Sequence, residues 1–231
     1  TFVWRTLPDL PPHPVITPPW QQMREILRHP LHQRGFQLSA ALVFAGGCVA
    51  PFMAPVMVAN VGLTEAQLPL IYLVGGACTF ITVPWIGRLA DRHDKVRVLG
   101  IISAVAAVAA FALTNLPPVP VVVALLVTTL FMVAMSGRFP PAMALITNAV
   151  EARYRGGFMS VNSAAQQGFS ALANLVAGAL VTRDLATGRL EGFPRAGLVA
   201  VVSFGLAVVL AARVRRHAPH ASAPRPPVAV P

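Results

Sequence analysis

A row of hydrogen-bonding side chains runs through one of the apolar segments of the chain. The row consists of Ser163, Gln167, Ser170 and Asn174, with Asn162 and Gln166 beside it. Intervals of four, three and four residues place the four members of the row on one face of an α-helix. Such amide and hydroxyl groups can bind a polar solute, or they can join one helix to its neighbour. Both interpretations require that this face avoids hydrocarbon, where unpaired amides are costly.

Arg138 is a second candidate for contact with a solute. It ends an apolar run and precedes the sequence Phe-Pro-Pro. If a kinked helix continues past these prolines toward Val150, the guanidinium group lies inside the apolar layer, where a charged side chain is a functional candidate. The alternative is an interfacial side chain that extends its charge to the membrane surface. Tyr72, in an earlier apolar run, is a weaker candidate.

The segments that carry these residues are too apolar for a water-soluble protein. Of the 231 residues, 55% are hydrophobic and 11% are charged, and the mean hydropathy is +0.66. Soluble domains carry about 25% charged residues. A membrane-crossing helix needs roughly 20 mostly apolar residues, and six segments meet that requirement. They cover residues 38–60, 66–86, 96–114, 118–137, 157–181 and 196–213. The sequence therefore predicts an all-α membrane protein with six transmembrane helices.

The cationic residues are distributed unequally between the two sides that these helices define. Fifteen of the eighteen Lys and Arg residues fall on the side of the two termini, and three, Arg183, Arg189 and Arg195, fall on the other side. Because basic residues are retained on the cytoplasmic side, both termini and the loop over residues 87–99 are expected in the cytoplasm. The asymmetry also accounts for the net charge of +10. The sequence contains no basic patch interleaved with aromatic residues, so it does not indicate nucleic-acid binding.

The loop between the second and third predicted helices has an ordered pattern of charge. It reads GRLADRHDKVRVL, with six formal charges in thirteen residues, and each would cost about 2.5–3.5 kcal/mol at the centre of a bilayer. The pattern Gly-x-x-x-Asp-Arg-x-x-Lys is formed by Gly87, Asp91, Arg92 and Lys95. It resembles the cytoplasmic signature of the major facilitator superfamily. Asp94 replaces the second glycine of that signature, and the second basic residue is shifted to Arg97. These departures resemble the degenerate copy in the carboxyl-terminal half of such transporters.

Two further stretches resemble the same family. Pro141 and Ala142, followed by RGGFMS at residues 155–160, are similar to the junction of the fourth and fifth helices of a facilitator half. The sequence VGLTEAQLPLIYLVGGA over residues 61–77 resembles the start of the second helix in bacterial efflux members. The resemblance implies the carboxyl-terminal half of a secondary transporter of the efflux type, built as a 3+3 inverted repeat. Its expected location is the bacterial inner membrane. Its expected partners are the lipid bilayer, a small-molecule solute and a missing amino-terminal six-helix half.

The signature loop is predicted to act as a conformational switch. Gly87 would let two helices approach closely, and Asp91 would accept hydrogen bonds at a helix N-terminus. Arg92 or Arg88 would pair with an acid at a neighbouring cytoplasmic helix end, and Glu151 is the nearest candidate in chain order. Such contacts would hold one arrangement of the helices and release in another.

The two ends of the chain differ from its apolar centre. Residues 1–37 are predicted to form a proline-rich cytoplasmic linker that contains a short amphipathic helix over residues 20–29. Residues 38–213 are predicted to form the six-helix transmembrane domain. Residues 214–231 are predicted to be a disordered cytoplasmic tail.

Two other functions compete with transport at the level of the sequence. A non-transporting membrane scaffold, or a truncated product, shares all of these features. An intramembrane protease is disfavoured, because Ser136 offers a nucleophile but no histidine base lies in a predicted span, and the metalloprotease pattern His-Glu-x-x-His does not occur. No metal-ligand spacing occurs and no cofactor is expected. The predicted spans contain no Asp or Glu, so this chain has no obvious site for a coupling proton.

Overall fold

Helices account for most of the described chain. The computed structural model describes residues 18–222. Within that range the α-helices are α1 (Pro19–Arg28), α2 (Pro30–Gly47), α3 (Ala50–Ala59), α4 (Leu68–Arg92), α5 (Lys95–Thr114), α6 (Val121–Gly137), α7 (Phe139–Ala149), α8 (Arg155–Leu180), α9 (Phe193–His217) and α10 (Pro219–Ser222). Single 3₁₀ turns cover Glu65–Gln67 and Ala152–Tyr154. The strands β1 (Thr182–Arg183) and β2 (Leu190–Glu191) form an antiparallel hairpin.

Proline and a capping carboxylate set several helix boundaries. Pro30, Pro69 and Pro194 occupy the first or second position of α2, α4 and α9. A proline is tolerated there because its missing amide hydrogen has no partner within the helix. The start of α5 is capped by Asp94, whose carboxylate accepts a hydrogen bond from the amide of Arg97 at 2.8 Å.

Five of the six predicted spans are helical segments long and apolar enough to cross a membrane. These segments are Pro30–Ala59, Glu65–Arg92, Lys95–Thr114, Val121–Ala149 and Phe193–His217. The remaining predicted span lies in α8, which at 26 residues is about 39 Å long and exceeds the roughly 30 Å hydrocarbon layer. Its amide and hydroxyl residues lower its hydropathy, and it does not belong to the apolar set.

The packing of the long helices shows an internal repeat. Helix α2 packs against α8 and α9, α6 packs against α4 and α5, and α5 and α9 pack against each other. The same set of helix contacts results when α2 is exchanged with α6, α4 with α8, and α5 with α9. The first span of each unit is interrupted, at Cys48 between α2 and α3 and at Arg138 between α6 and α7. Because corresponding helices are three spans apart, they run in opposite directions, which agrees with the predicted 3+3 inverted repeat.

Helices α4 and α8 flank a central group formed by α2, α5, α6 and α9. The central group is closely packed through small side chains, and Ala106, Ala109 and Ala200 are fully buried there. By contrast, Phe80 and Trp85 on α4 are 83% and 70% exposed. The two flanking helices therefore present large surfaces to whatever surrounds this six-helix unit.

The connections lie at two ends of the bundle. We call the end that contains α1, the α4–α5 connection, the α7–α8 connection and the end of α9 the basic end. Contacts across it include the Tyr154 hydroxyl with the Glu25 carboxylate at 2.9 Å and the Asn148 amide with the Ala221 carbonyl at 3.4 Å. The opposite end contains the β-hairpin and the end of α3.

Two predicted boundaries are wrong. The first span begins at Pro30 rather than residue 38, because the proline starts a helix that continues without a break into the apolar run. His32 therefore belongs to α2 and is buried, with its ring 5.3 Å from that of Phe158. Residues 214–217 and 219–222 are helical rather than disordered, and Val214 packs in the core. The short helix expected over residues 20–29 is confirmed as α1. Residues 7–17 of the proline-rich segment and residues 223–231 lie outside the described residues.

Candidate functional site

Arg138 lies at the interruption between α6 and α7 and is fully buried. Its guanidinium carbon is 4.2 Å from the centroid of the Phe204 ring on α9. One terminal nitrogen, Nη2, donates to the Leu42 carbonyl at 3.3 Å and contacts the Met135 sulfur at 2.7 Å. The other two nitrogens, Nε and Nη1, have no hydrogen-bond partner among the described residues. The cation is therefore held by an aromatic face and a main-chain oxygen in the apolar interior.

The helix does continue past Pro140 and Pro141, as α7, to Ala149. Ala149 is eleven positions after Arg138, which corresponds to about 17 Å of helix. Because the side chain is buried and points to α2 and α9, it does not extend to the membrane surface as the interfacial alternative required. The structure thus places a buried arginine at depth in a segment long enough to span a membrane.

The row on α8 lies on the surface of the six-helix unit. Ser163, Gln167 and Asn174 are exposed, and Ser170 and Gln166 are partly buried. The exposed members of the row therefore do not serve as hydrogen-bonded contacts within this unit. An exposed row of amides on a helix of membrane-spanning length must face water, a polar solute or another protein surface.

Asn162 differs from its neighbours because it is fully buried in the contact between α8 and α2. Phe158, one turn before it, packs against Gly35, where an added Cβ atom would lie 3.0 Å from the ring. Since α2 and α8 run in the same direction, Ser39 lies at the same level as Asn162. Neither the amide of Asn162 nor the hydroxyl of Ser39 has a hydrogen-bond partner among the described residues. Because a buried donor or acceptor without a partner is costly, a polar partner would stabilise these atoms more than it would the exposed groups of the row.

Gly47 allows the close approach of α2 to α8. A Cβ atom at this position would lie 2.7 Å from the Cβ atom of Ala173 and 3.2 Å from the Ser170 carbonyl oxygen. The side-chain oxygen of Asn174 would be 3.3 Å away. The far end of the polar row is therefore fixed against α2 by a contact that tolerates no side chain at Gly47.

Tyr72 lies apart from this row. It is on α4, which packs on α6, whereas α8 packs on α2. The Tyr72 side chain is 44% exposed. The structure therefore does not bring Tyr72 into one site with the α8 residues within this unit.

The charged loop contains a capping carboxylate one turn after Asp91 in the sequence. Asp91 lies in the last turn of α4, and the carboxylate at the start of α5 is that of Asp94. The Asp94 carboxylate also pairs with Arg215, near the end of α9, at 3.3 Å. One carboxylate thus caps α5 and connects it to α9 at the basic end. Lys95, the last residue of the signature, is fully buried at the first position of α5.

The ion pair predicted between Glu151 and Arg92 or Arg88 is wrong. Glu151 pairs with Arg153, two residues further along the chain, at 2.9 Å. Arg92 and Arg88 lie beside Trp85 and His93 on the outer side of α4. Gly87 faces Pro140 of α7, where an added Cβ atom would be at an ordinary contact distance of 3.8 Å, so close helix approach does not require glycine there.

Helix α1 docks on the start of α8. Ile26 is 1% exposed, and a Cβ atom at Gly157 would lie 2.8 Å from its terminal carbon. The Tyr154 hydroxyl donates to the Glu25 carboxylate, and this hydrogen bond raises the pKa of Tyr154. The sequence predicted the helix but not this contact.

Two contacts that the sequence analysis missed had partial signals. An Asp immediately before a helical run, as at Asp94, is a typical helix N-cap, although its pairing with Arg215 across 121 residues has no local signature. Asn60, at the end of α3, donates to the Leu190 carbonyl at 2.7 Å and accepts from the Leu190 amide at 2.8 Å. Its role is therefore to hold the β-hairpin.

The inverted repeat and the apolar spans define an all-α membrane protein with an architecture that many transporter folds share. The family model described as Major Facilitator Superfamily matches residues 36–230. The chain belongs to this superfamily, whose members transport solutes across membranes. No curated protein sequence was found to match the chain.

Proposed function

We propose that this chain is the carboxyl-terminal half of a secondary active transporter that exports a small solute or drug by alternating access. In this proposal, the α8 row and Arg138 belong to the solute pathway, and an amino-terminal six-helix half completes that pathway. Tyr72 would contribute from α4, on the other flank of the unit.

The exposed α8 row is the observation that carries this proposal. Ser163, Gln167 and Asn174 lie along one helix face, and the eleven positions from the first to the last correspond to about 17 Å of helix. Hydrocarbon would leave these groups without hydrogen-bond partners at a cost of several kcal/mol each. A water-filled or solute-filled pathway removes that cost and supplies donors and acceptors for a polar solute.

The distribution of charge supports the proposed orientation. The basic end contains most of the cationic side chains, whereas the opposite end has Arg183, Arg189 and Arg195. The positive-inside rule therefore favours a cytoplasmic location for both termini. A bacterial inner membrane is the location that we propose on the basis of the efflux-type resemblance.

The contacts at the basic end support a role for the signature loop as a switch. Asp94 joins the start of α5 to the end of α9 through Arg215. Both groups are partly exposed, at 34% and 45% of their side-chain surface. When the pair separates, water can therefore solvate both charges, and neither is left buried without a partner. We propose that Asp94, together with Asp91, Arg92 and Lys95, stabilises one arrangement of the helices at this end.

Export of a fluorescent cation tests the proposal. The protein with its complete natural chain is produced in a bacterial strain that lacks its major efflux pumps, and ethidium and a panel of neutral and anionic dyes are followed by fluorescence. We expect energy-dependent export of at least one dye, and at least tenfold slower export for Gln167→Leu. Thr128→Val is the matched control, because the Thr128 hydroxyl donates only to carbonyls of its own helix.

Thiol labelling tests the pathway independently of the choice of dye. Cys48 and Cys78 are replaced by alanine, and single cysteines are introduced at Ser163, Asn174 and, as a lipid-facing control, Val108. A charged, membrane-impermeant reagent should label the first two positions and not the third. Equal protection of all three positions would contradict the pathway, and export of no dye would favour the scaffold alternative.

A further inference from the structure

A groove separates α8 from α9 on the side where both helices contact α2. It has a volume of about 510 Å³. Its apolar lining includes Phe36, Phe44, Phe169, Leu172, Leu206 and Leu210. Two of its walls, α2 and α9, belong to segments long and apolar enough to span a membrane, so lipid acyl chains are available to fill an apolar groove between them.

The groove runs from the basic end into the apolar part of the bundle. On α2, Phe44 is two turns further from the basic end than Gln37, which also lines the groove. On α9, which runs in the opposite direction, Leu210 lies nearer the basic end than Leu206. The groove therefore extends from positions near the basic end, where lipid headgroups would lie, to apolar positions deeper in the bundle.

Two arginines flank the part of the groove near the basic end, which we call its mouth. Arg34 lies one turn before Gln37 on α2, and Arg213 lies one turn after Leu210 on α9, so helical spacing places both on the faces that line the groove. Within residues 18–222, neither arginine side chain forms an ion pair or hydrogen bond with a protein group. Helices α2, α8 and α9 contain no Asp or Glu. The charge at the mouth is therefore positive and is not neutralised by the three helices that form it.

We infer that this groove binds one anionic phospholipid, with an acyl chain among the apolar side chains and the headgroup phosphate between Arg34 and Arg213. Gln37, at the mouth, lies where it can donate to a glycerol ester oxygen. Guanidinium groups suit phosphate because they form paired, charge-assisted hydrogen bonds. The occupant is a lipid rather than a free anion because the apolar groove continues directly from the cationic mouth. This site is separate from the solute pathway proposed for the exposed α8 row.

Native mass spectrometry of the purified, complete protein tests the inference. The probes are dioleoyl phosphatidylglycerol and dioleoyl phosphatidylcholine, added to delipidated protein in detergent at equal concentrations. We expect one tightly retained phosphatidylglycerol per chain in the wild type. Each basic side chain near an anionic headgroup contributes about a fivefold increase in binding, so Arg34→Gln with Arg213→Gln should weaken phosphatidylglycerol retention about 25-fold and leave phosphatidylcholine unchanged.

Two matched controls make the result specific to the groove. Arg88→Gln with Arg97→Gln removes the same charge from the basic end but from α4 and α5, and should leave retention unchanged. Ala40→Trp fills the groove and should abolish retention, whereas Val108→Trp adds the same ring to an exposed position of α5 and should not. Circular dichroism verifies that each variant is folded. Three results would each overturn the inference. They are an equal loss of phosphatidylglycerol retention in the two double-arginine variants, equal retention of the two lipids by the wild type, and full phosphatidylglycerol retention by Ala40→Trp.

Discussion

The guanidinium group of Arg138 stacks on the ring of Phe204, with 4.2 Å between the guanidinium carbon and the ring centroid. No carboxylate among the described residues pairs with this cation. An aromatic face attracts a cation but satisfies none of its N–H donors. The arginine is therefore only partly stabilised where it lies, which is the condition expected of a group that serves a function other than stability.

Replacement of Arg138 by methionine should separate stability from function. Methionine keeps a similar length and removes a buried charge that has no carboxylate partner, so the replacement should be neutral or stabilising. We expect an unchanged or higher unfolding temperature for Arg138→Met, together with at least tenfold slower dye export. Thermal unfolding in detergent and fluorescence export measure the two properties on the same preparation.

Phe204→Leu is the matched variant for that experiment. It leaves the cation in place but removes its aromatic partner, at an expected cost of about 2 kcal/mol for a desolvated contact. A lower unfolding temperature for Phe204→Leu and a higher one for Arg138→Met would agree with an arginine retained for function. A strongly destabilised Arg138→Met that still exports dye normally would instead show that the residue serves the fold.

The contact between Asp94 and Arg215 should contribute to stability mainly through the cap on α5. Loss of an N-cap costs about 1 kcal/mol, and an exposed ion pair contributes about 0–1 kcal/mol. Asp94→Ala should therefore lower the free energy of unfolding by about 1–2 kcal/mol, and Arg215→Gln by no more than about 1 kcal/mol. Denaturant unfolding of both single variants and the double variant gives the coupling between the two groups.

The same variants test the proposed switch. If the pair stabilises one arrangement of the helices, Arg215→Gln should change the ratio of cysteine labelling at position 163 from the two sides of the membrane several-fold. Arg153→Gln is the control, because its partner Glu151 is two residues away and both groups are more than half exposed. Asp91→Asn belongs in the same series. Unchanged labelling in Arg215→Gln and Asp91→Asn would remove the switch from the mechanism.

The docking of α1 should depend on one apolar side chain. Ile26 is buried against α8, whereas its neighbour Leu27 is 48% exposed. A buried Ile→Ala change costs about 2–5 kcal/mol. A helix of ten residues is too short to be stable without its packing contacts, so it cannot compensate for that loss. Ile26→Ala should therefore make tryptic cleavage after Arg24 and Arg28 at least tenfold faster. Leu27→Ala should leave the cleavage rate close to that of the wild type, and equal acceleration in both variants would contradict this docking.

The hydrogen bond from Tyr154 to Glu25 should make α1 docking sensitive to high pH. Because the bond raises the pKa of Tyr154, its stabilisation is complete below the ordinary tyrosine pKa of about 10 and is lost as the pH rises through the raised pKa. A nitroxide attached at Met23→Cys should become more mobile in that range. Tyr154→Phe should show greater mobility already at pH 7 and no such transition, and a transition of equal size in this variant would assign it to another group.

The sequence predicted what depends on local composition and periodicity. The apolar runs, the kinked continuation past Arg138 and the polar face of α8 are properties of contiguous segments, and the structure contains each of them. The partners of charged residues were not predictable in this way. Chain order makes Glu151 the nearest acid for Arg92 or Arg88, but Arg153, two residues away, pairs with it instead. Arg138 and Phe204 are 66 positions apart, and no spacing rule predicts that an aromatic ring rather than an acid would receive the cation.

Asn60 shows how a polar residue at the end of a span can be misassigned from sequence alone. It is a polar residue at the end of an apolar run, which is typical of a pathway residue, yet the nitrogen and the oxygen of its side-chain amide both bond to the main chain of Leu190. Each hydrogen bond contributes about 0.5–1.5 kcal/mol. We therefore expect Asn60→Leu to lower the free energy of unfolding by about 1–3 kcal/mol while dye export by the folded fraction is unchanged.

Asn115→Leu provides the comparison for this last prediction. Asn115 also follows a span at the opposite end of the bundle, but its amide donates only to Phe111 and Thr114 of the preceding helix, so its loss should cost less than about 1 kcal/mol. Amide hydrogen exchange at Leu190 should accelerate in Asn60→Leu and not in Asn115→Leu, because only Asn60 accepts from that amide. Slow export by a fully stable Asn60→Leu would instead assign Asn60 a role in the solute pathway.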